Sequence, residues 1–541
     1  MSNWRRFGLK RQNFLKGSII LMISAAIAKL LGAVFKIPLT NILGGIGMSY
    51  FSCAYSIFMP VYALTVTGLS SAVARMTAQS AALGMYANTA KVRRTALMLF
   101  SGVGFVGSLL IFLLAKPFSY YFIGSHEAYG AITMIAPSVF FGCITAVERG
   151  YYEGMSNMYP TAFSQASEGV VKAVSGLLLC GYVTSCPDTV MRLFPDITDI
   201  RGAAATAGVL GVTFSTAGSA IFFGIMRLFV RPHCDGEIYL MSVRDIVREL
   251  MATALPVGIG ALVTNLTAVV DMWTVIGCIS RFSSGIKTPD GISSSELPGF
   301  VYGSFAGIAL TVFGLIPSVT NMLGKGALTC IASACRSGDR GEIQRGTMQA
   351  LLTAAIIAVP AAAGLFVLAP EILSFLYPRQ NDEVVLCIAP LRYLMGGMIC
   401  LCVSYPIFSM LQAAGKPNVP LKIMIAGTTV KFIGNLLLIP FMGIDGAALS
   451  TTLCYILILC LSLRIYITTV EIKIHIIPFV NVLYSGLMCG GSACLTAYIA
   501  KHWELPQFTV IGVSVVVGGT VYMLLLRALL VDREFTLAKN K

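Results

Sequence analysis

Charged residues are scarce in this chain. Only 11% of its 541 residues are Asp, Glu, Lys or Arg, while 56% are hydrophobic and the mean hydropathy is +0.82. Soluble domains carry about 25% charged residues, so the composition excludes an ordinary soluble protein and predicts a polytopic membrane protein. No long polar, Pro-rich or Ser-rich stretch separates the apolar runs, so we expect no sizeable soluble module.

Motifs for metal binding and catalysis are also missing. The 15 cysteines include no CxxC pair and no Cys/His zinc spacing, and the four histidines lie in predicted loops or at helix ends. The sequence has no P-loop, GxSxG or HExxH motif, and no acidic cluster of the DxD type in a sizeable loop. We therefore predict that the chain is not an enzyme and holds no resident metal or cofactor.

Apolar segments long enough to cross a bilayer recur along the chain. A membrane-spanning helix needs about 20 mostly apolar residues, and this template predicts about 14 such helices. The predicted segments are 17–37, 50–82, 95–115, 128–150, 161–184, 203–226, 251–278, 298–322, 346–369, 384–411, 420–439, 446–467, 476–499 and 507–527. Pro60 and Pro406 lie inside the long second and tenth segments, where they predict kinks.

The few charged residues are biased towards one sign. The chain has 38 Lys and Arg against 24 Asp and Glu, a formal net charge of +14. In the predicted topology most of the excess lies in loops on one side of the membrane, starting with the basic N-terminal segment 5–16. Positive loops remain in the cytoplasm, and the predicted number of spans is even, so both termini are predicted to be cytoplasmic. Topology thus accounts for the charge, and we expect no nucleic-acid partner.

Three pairs of segments indicate an internal duplication. The members of each pair lie about 250 residues apart and occur in the same order, as in a transporter built from parallel repeats. They are VKAVSGLLL (Val171–Leu179) with VKFIGNLLL (Val430–Leu438), LTVTGLSSAV (Leu64–Val73) with LTVFGLIPSV (Leu310–Val319), and RGAAATAG (Arg201–Gly208) with DGAALSTT (Asp445–Thr452). We predict an all-α membrane fold with pseudo-twofold six-helix lobes at 1–230 and 231–470. Two additional C-terminal helices and a cytoplasmic tail would follow at 471–541.

Two lysines occupy matching points of the predicted lobes. Lys172 and Lys431 lie near the middle of apolar segments, where a charge costs at least about 2.5–3.5 kcal/mol and usually faces a cavity or a partner. Glu168 precedes Lys172 by four residues and so shares its helix face, which allows either a self-neutralising pair or a substrate site. Lys431 has Gly427 in the corresponding position and Asn435 four residues later. We therefore predict that Lys431 is the more available anion contact.

Four further basic residues are candidates for substrate binding. Lys29 and Lys36 are seven residues apart in the first segment and share one face, with Lys29 deeper in the hydrocarbon. Lys36 could instead snorkel to the membrane surface. Arg75 and Lys325 lie near the cytoplasmic ends of the second and eighth segments, where they could form an anion site or serve as positive-inside anchors.

Acidic residues inside the predicted spans are candidates for coupling or gating. Asp271 lies in the seventh segment, where it could pair with Lys29 or bind a coupling cation, sodium or a proton. Glu148 and Arg149 lie at the turn between the fourth and fifth segments. For Glu148, Arg149 and the nearby Glu153 we weigh a structural ion pair against a gating contact. Glu168 belongs to the same group, because its pairing with Lys172 could open and close during transport.

The opening SAAIAKLLGAVFKIPLTNILGGIGMSYFSCAYSIF and the turn RGYYEGMSNMYPTAFSQASEGVVK resemble the stage V sporulation protein B family. This is a polysaccharide-biosynthesis branch of the superfamily that includes multidrug and toxin extruders and MurJ-type lipid II flippases. The resemblance implies two six-helix lobes around a central cavity, two extra helices and alternating access. In MurJ-type proteins cavity arginines bind the anionic head group. Here Lys29, Lys36, Arg75 and Lys325 fall in comparable helices, and lysines replace most of the arginines.

The residues and the resemblance together favour a flippase of the bacterial plasma membrane. It would move an undecaprenyl-pyrophosphate-linked sugar, such as lipid II or a related polysaccharide precursor, outward through a cationic cavity. One alternative is a cation-coupled multidrug exporter, which predicts an acid-rich cavity instead. Another is a non-transporting membrane scaffold in a cell-wall synthesis complex. The expected partners are the anionic lipid-linked sugar, membrane lipids and cell-wall synthesis enzymes.

Overall fold

The fold is helical throughout in a computed structural model of the protein. The residues described are 14–193, 199–229, 241–282, 292–321, 340–416, 418–472 and 474–531. The side chains of Lys29 and of several other residues, mostly between 14 and 33, also lie outside the described part. Within the described ranges no β-strand occurs, which confirms the predicted all-α class.

The chain forms two compact units, Met1–Trp273 and Thr274–Lys541. The predicted division at residues 230 and 470 stays a prediction. The helices of the first unit are α1 (Phe14–Tyr62), α2 (Gly68–Ala82), α3 (Tyr86–Phe118), α4 (Ala128–Ile135), α5 (Pro137–Gly154), α6 (Tyr159–Ser185), α7 (Pro187–Leu193), α8 (Ile200–Phe229) and α9 (Val243–Phe282), which continues past the boundary between the units.

The second unit is also built of helices packed side by side. They are α10 (Leu297–Ser304), α11 (Leu310–Phe313), α12 (Arg340–Val367), α13 (Ala369–Leu376), α14 (Asn381–Ala413), α15 (Asn418–Met442), α16 (Ile444–Val470), α17 (Ile477–His502) and α18 (Gln507–Leu526). The segments that repeat around Lys172 and Lys431 lie on α6 and α15. Each of these two helices has a proline in its first turn, where the missing N–H of proline costs no helical hydrogen bond.

The structure has 12 helices among its described residues that are long and apolar enough to cross a membrane. The number is 13 if the bent pair Leu297–Phe313 and Leu315–Asn321 counts as one span. The multi-pass character is therefore confirmed, whereas the predicted count of 14 is not. The first candidate span, Val34–Ala82, has 49 residues. At 1.5 Å per residue it would be about 74 Å long, more than twice the hydrocarbon thickness of about 30 Å.

This long helical stretch is broken at Gly44. Its backbone has φ 65° and ψ −176°, a region that is essentially reserved for glycine. The break divides α1 between the predicted segments 17–37 and 50–82. A π-helical stretch, Ala63–Thr67, begins three residues after Pro60, at the predicted kink, whereas α14 stays helical through Pro406. A second π-helical stretch, Phe305–Ala309, joins α10 to α11.

Glycines bring α1, α6 and α8 together in the first unit. A Cβ added to Gly211 of α8 would lie 2.4 Å from the Cα of Gly176 on α6. A Cβ added to Gly176 would lie 2.7 Å from a ring carbon of Phe35 on α1. Small residues let membrane helices approach at backbone distance, so this contact fixes α6 between its two neighbours.

Candidate functional site

Two lysines, Lys36 on α1 and Lys172 on α6, bring positive charge into the first unit. The Lys172 ammonium lies 5.3 Å from the ring centroid of Phe35 and 5.4 Å from that of Tyr55, within cation–π range. Lys36 is close enough for its charge to repel that of Lys172. Neither lysine forms an ion pair with a carboxylate in the described part of the chain. The site therefore carries a local surplus of positive charge.

Glycines on α6 set the position of Lys172. Gly169, Lys172 and Gly176 are three and four residues apart, so they share one face of the helix. A Cβ on Gly169 would lie 3.1 Å from a side-chain carbon of Leu31, and one on Gly176 would meet Phe35. Because this face has no side chain on either side of Lys172, α1 can approach it closely. That approach places the ammonium beside the Phe35 ring.

Glu168 pairs with Arg149 of α5. Arg149 Nη2 donates to Glu168 Oε2 at 2.6 Å and also donates to Ser164 Oγ at 2.8 Å. Ser164 Oγ in turn lies 3.2 Å from Ser219 Oγ on α8. The self-neutralising pair that the sequence allowed between Lys172 and Glu168 does not form here. An arginine from the neighbouring helix reaches the carboxylate with a short, charge-assisted hydrogen bond.

Glu148 belongs to a separate and fully buried ion pair with Arg93. Arg93 Nε donates to Glu148 Oε1 at 3.1 Å, Nη2 donates to Oε2, and the two side chains are only 7% and 3% exposed. The guanidinium also lies 4.5 Å from the Tyr151 ring centroid. These contacts join α3 to α5. The geometry is that of a structural pair, and a gating role for Glu148 stays a prediction.

Arg93 is the main polar residue that the sequence interpretation missed. The predicted third span began at residue 95, so Arg93 fell in a basic loop. The structure begins α3 at Tyr86, which carries Arg93 into the helix. Glu148 lies inside a predicted span and has no basic residue three or four positions away on its own helix. A buried carboxylate of this kind usually has a partner, so it could have indicated a basic residue on a neighbouring helix.

Lys431 is held in a polar network of the second unit. It is buried, with 3% exposure. Asn435, one turn further along α15, donates through Nδ2 to Thr274 Oγ1 at 2.8 Å. Ser450 of α16 donates to Asn435 Oδ1 and lies 3.2 Å from the Lys431 carbonyl oxygen. Lys172 is partly exposed whereas Lys431 is buried, and the greater availability of Lys431 to an anion stays a prediction.

One substitution between the two repeats separates the environments of these lysines. When VKAVSGLLL is aligned with VKFIGNLLL, Gly176 corresponds to Asn435. Gly176 admits the Phe35 ring beside Lys172, whereas the Asn435 side chain builds hydrogen bonds beside Lys431. The first environment is aromatic and the second is polar.

The remaining predicted site residues are either buried, exposed or outside the described part of the chain. Asp271 is buried on α9, and its predicted pairing with Lys29 lies outside the described residues. Arg75 is exposed on α2, and Lys325 lies outside the described residues. In the part of the chain that the structure describes, no group of three or more His, Cys, Asp or Glu side chains is placed to hold a metal ion.

The fold is multi-pass and helical and carries charged side chains inside its candidate spans, as membrane transporters do. Residues 14–325 match a family described as polysaccharide biosynthesis protein, and residues 295–437 match one described as MatE. The first match covers more than half of the chain. The protein belongs to the polysaccharide biosynthesis protein family, which confirms the resemblance found in the sequence.

Two proteins of Bacillus subtilis are similar to this chain over most of its length. Stage V sporulation protein B of Bacillus subtilis (strain 168) is 22% identical over 532 residues, 96% of each protein. The lipid II flippase MurJ of the same strain is 22% identical over 462 residues, 82% of this chain and 80% of MurJ.

A solved structure of a lipid II flippase MurJ in an inward closed conformation has a TM-score of 0.67 at 16% identity, covering 96% of this chain and 99% of that chain. At 16% identity this structural similarity shows that the two proteins share a fold. The names of the relatives agree with the prediction that the chain is not an enzyme.

Proposed function

We propose that this protein is a flippase that moves an undecaprenyl-pyrophosphate-linked sugar from the inner to the outer leaflet of the bacterial plasma membrane. The sugar is a peptidoglycan precursor such as lipid II, or a related polysaccharide precursor. The observation that carries the proposal is the positive charge of Lys36 and Lys172, which no described carboxylate neutralises. A pyrophosphate does not enter hydrocarbon unaided, because burying an unpaired charge is prohibitive. The two ammonium groups supply the missing counter-charge.

Glu168 offers a way to release the bound anion. It lies one helical turn from Lys172 on α6 and is held by Arg149 in this conformation. If alternating access withdraws Arg149, Glu168 becomes free to neutralise Lys172, since residues four apart on a helix are neighbours. The carboxylate would then compete with the pyrophosphate for the lysine. Arg149 and Glu168 are therefore the gating residues of the proposal.

The membrane potential supplies a driving force in the required direction. With both termini in the cytoplasm, as the loop charges indicate, outward movement of an anion from a negative interior gains about 2.3 kcal/mol per charge per 100 mV. Asp271, buried on α9, is the site we assign to a coupling cation, sodium or a proton. The proposal requires no resident cofactor.

A cation-coupled multidrug exporter is the second candidate. The match of residues 295–437 to the MatE family and the buried carboxylate of Asp271 favour it. The lysines of the first unit oppose it, because their charge repels a cationic drug. A scaffold that binds cell-wall synthesis enzymes without transport would leave these intramembrane lysines without a purpose.

Translocation by the wild-type protein in proteoliposomes separates these candidates. We expect pyrophosphate-linked sugars to reach the outer leaflet faster than in protein-free vesicles, and faster when the potential is negative on the side of origin. A cationic drug loaded into the same vesicles is expected to stay inside. Drug export without movement of any lipid-linked sugar would identify the exporter. No transport of either substrate would support the scaffold.

A further inference from the structure

A second polar site lies in the second unit, beside the turn that joins α17 to α18. It is a cavity of about 260 Å³, lined by Pro370, Glu371, Ser374, Lys501, Leu505, Gln507 and Val510. The apolar side chains of Leu368, Ala497, Ala500 and Val510 form a buried cluster next to it. None of these residues belongs to the proposed transport site.

Only one of the two carboxylate oxygens of Glu371, which lines the cavity, has a partner among the described residues. Glu371 Oε1 forms an ion pair with Lys501 Nζ, and the two side chains are 10% and 57% exposed. Glu371 Oε2 is buried and has no hydrogen-bond partner among the described residues. A buried acceptor without a donor is costly. Because the terminal torsion of glutamate is soft, a small rotation can turn this oxygen towards a donor that enters the cavity.

The rest of the lining supplies further acceptors. Ser374 Oγ donates to the Pro370 carbonyl at 2.7 Å, and Gln507 Nε2 donates to the Glu371 carbonyl at 2.9 Å. These bonds hold both side chains while their oxygens can still accept hydrogen bonds. Lys501 has three N–H donors, of which the pair with Glu371 uses one. The lining therefore offers three acceptors, from Glu371, Ser374 and Gln507, together with the ammonium of Lys501.

The position of the cavity along its helices places it at a membrane surface. Ile477–His502 and Gln507–Leu529 are both candidate spans, so the turn between them marks the end of two spans. Trp503 in this turn is exposed, and the rings of Phe375 and Phe508 lie 5.9 Å apart beside the cavity. Aromatic residues are enriched at the level of the lipid head groups.

We propose that this cavity binds the head group of a phospholipid that carries both a primary ammonium and a phosphate, as in phosphatidylethanolamine. The ammonium has three N–H donors, which match the oxygens of Glu371, Ser374 and Gln507, and the phosphate lies on Lys501. The pair of Glu371 and Lys501 is neutral overall, as is this head group. Phosphatidylcholine has no N–H to satisfy Glu371, and an anionic head group has no cation to pair with it.

Lipid retention by the purified full-length protein tests the assignment. The protein is extracted from vesicles that contain equal amounts of phosphatidylethanolamine, phosphatidylcholine and phosphatidylglycerol with identical acyl chains, and native mass spectrometry counts the retained lipids. We expect wild type to retain phosphatidylethanolamine over phosphatidylcholine by about tenfold, or about 1.4 kcal/mol. Equal retention of the two lipids by wild type would overturn the proposal without recourse to any variant.

Variants of the lining residues then show which side chains determine the lipid selectivity. We expect Glu371→Gln to abolish the preference for phosphatidylethanolamine and Lys501→Met to weaken retention of all three phospholipids. Glu471→Gln is the matched control, because Glu471 pairs with Arg340 on the surface of the same unit, and it should retain the wild-type preference. If folded Glu371→Gln still prefers phosphatidylethanolamine as wild type does, the proposal is contradicted. It is also contradicted if Lys501→Met retains as much phospholipid as wild type with the same preference.

A soluble competitor distinguishes a lipid from a free ligand. Glycerophosphoethanolamine has the same ammonium and phosphate but no acyl chains. We expect an equal concentration of it to leave retention of the lipid unchanged, because the chains add binding free energy in the bilayer. Displacement at equal concentration would show that the ligand is a soluble phosphoethanolamine and would overturn the lipid assignment.

Discussion

Replacing Lys172 by methionine is expected to lower the initial rate of lipid-linked sugar translocation by at least about tenfold, since a hydrogen bond to a charged group contributes about 1.5–3 kcal/mol. Lys36→Met should act in the same direction, and the double variant should lose more. Lys172→Arg keeps the charge between Phe35 and Tyr55 and is expected to retain most of the activity. The measurement is the translocation rate in proteoliposomes under a fixed membrane potential.

The thermal stability of the same variants shows whether a loss of rate is functional. Lys172→Met removes a positive charge that no described carboxylate neutralises, so we expect an unchanged or higher melting temperature. Lys116→Met is the control, because Lys116 is an exposed lysine near the end of α3 in the same unit, and its rate should stay at the wild-type level. Full activity in the stable double variant Lys36→Met/Lys172→Met would refute the cationic site.

Replacing Glu148 by alanine is expected to give the largest loss of stability of any substitution considered. The change leaves the Arg93 guanidinium buried beside Tyr151 without its carboxylate. Breaking a buried ion pair on one side costs about 3–5 kcal/mol. We expect a lower melting temperature in a fixed detergent and a lower yield of folded protein.

A double variant distinguishes the lost pair from a general packing defect. Arg93→Met/Glu148→Met removes both charges and is expected to recover most of the melting temperature, because an apolar pair of similar volume replaces a buried ion pair at little cost. Glu471→Gln breaks the exposed pair with Arg340, whose side chains are 75% and 67% exposed, and should change stability by less than about 1 kcal/mol. A Glu148→Ala protein as stable as wild type would contradict the structural role.

The sequence predicts the class and the family because these depend on features that are repeated many times. Apolar runs of span length recur along the chain, and each unit carries a copy of the lysine segment. The exact number of spans depends on single residues instead. Gly44 interrupts α1 in the glycine-containing stretch LTNILGGIG, between the predicted segments 17–37 and 50–82, yet helix continues on both sides of it.

The partners of the charged residues were harder to predict because they depend on contacts between helices. Glu168 and Lys172 are neighbours on α6, and helix spacing alone favours their pairing. In the structure Glu168 pairs instead with Arg149 of the neighbouring helix α5, through a charge-assisted hydrogen bond of 2.6 Å. The contrast between Lys172 and Lys431 likewise arises from packing, through Gly176 in one repeat and Asn435 in the other.

In the proposed mechanism Lys36 and Lys172 bind the pyrophosphate of the lipid-linked sugar. The most direct test of this mechanism compares binding of undecaprenyl pyrophosphate with binding of the uncharged alcohol undecaprenol, for wild type and for Lys36→Met/Lys172→Met in the same nanodiscs. We expect wild type to bind the pyrophosphate more tightly than the alcohol and the double variant to bind both alike. An undiminished preference for the pyrophosphate in the double variant would place the anion site elsewhere in the chain.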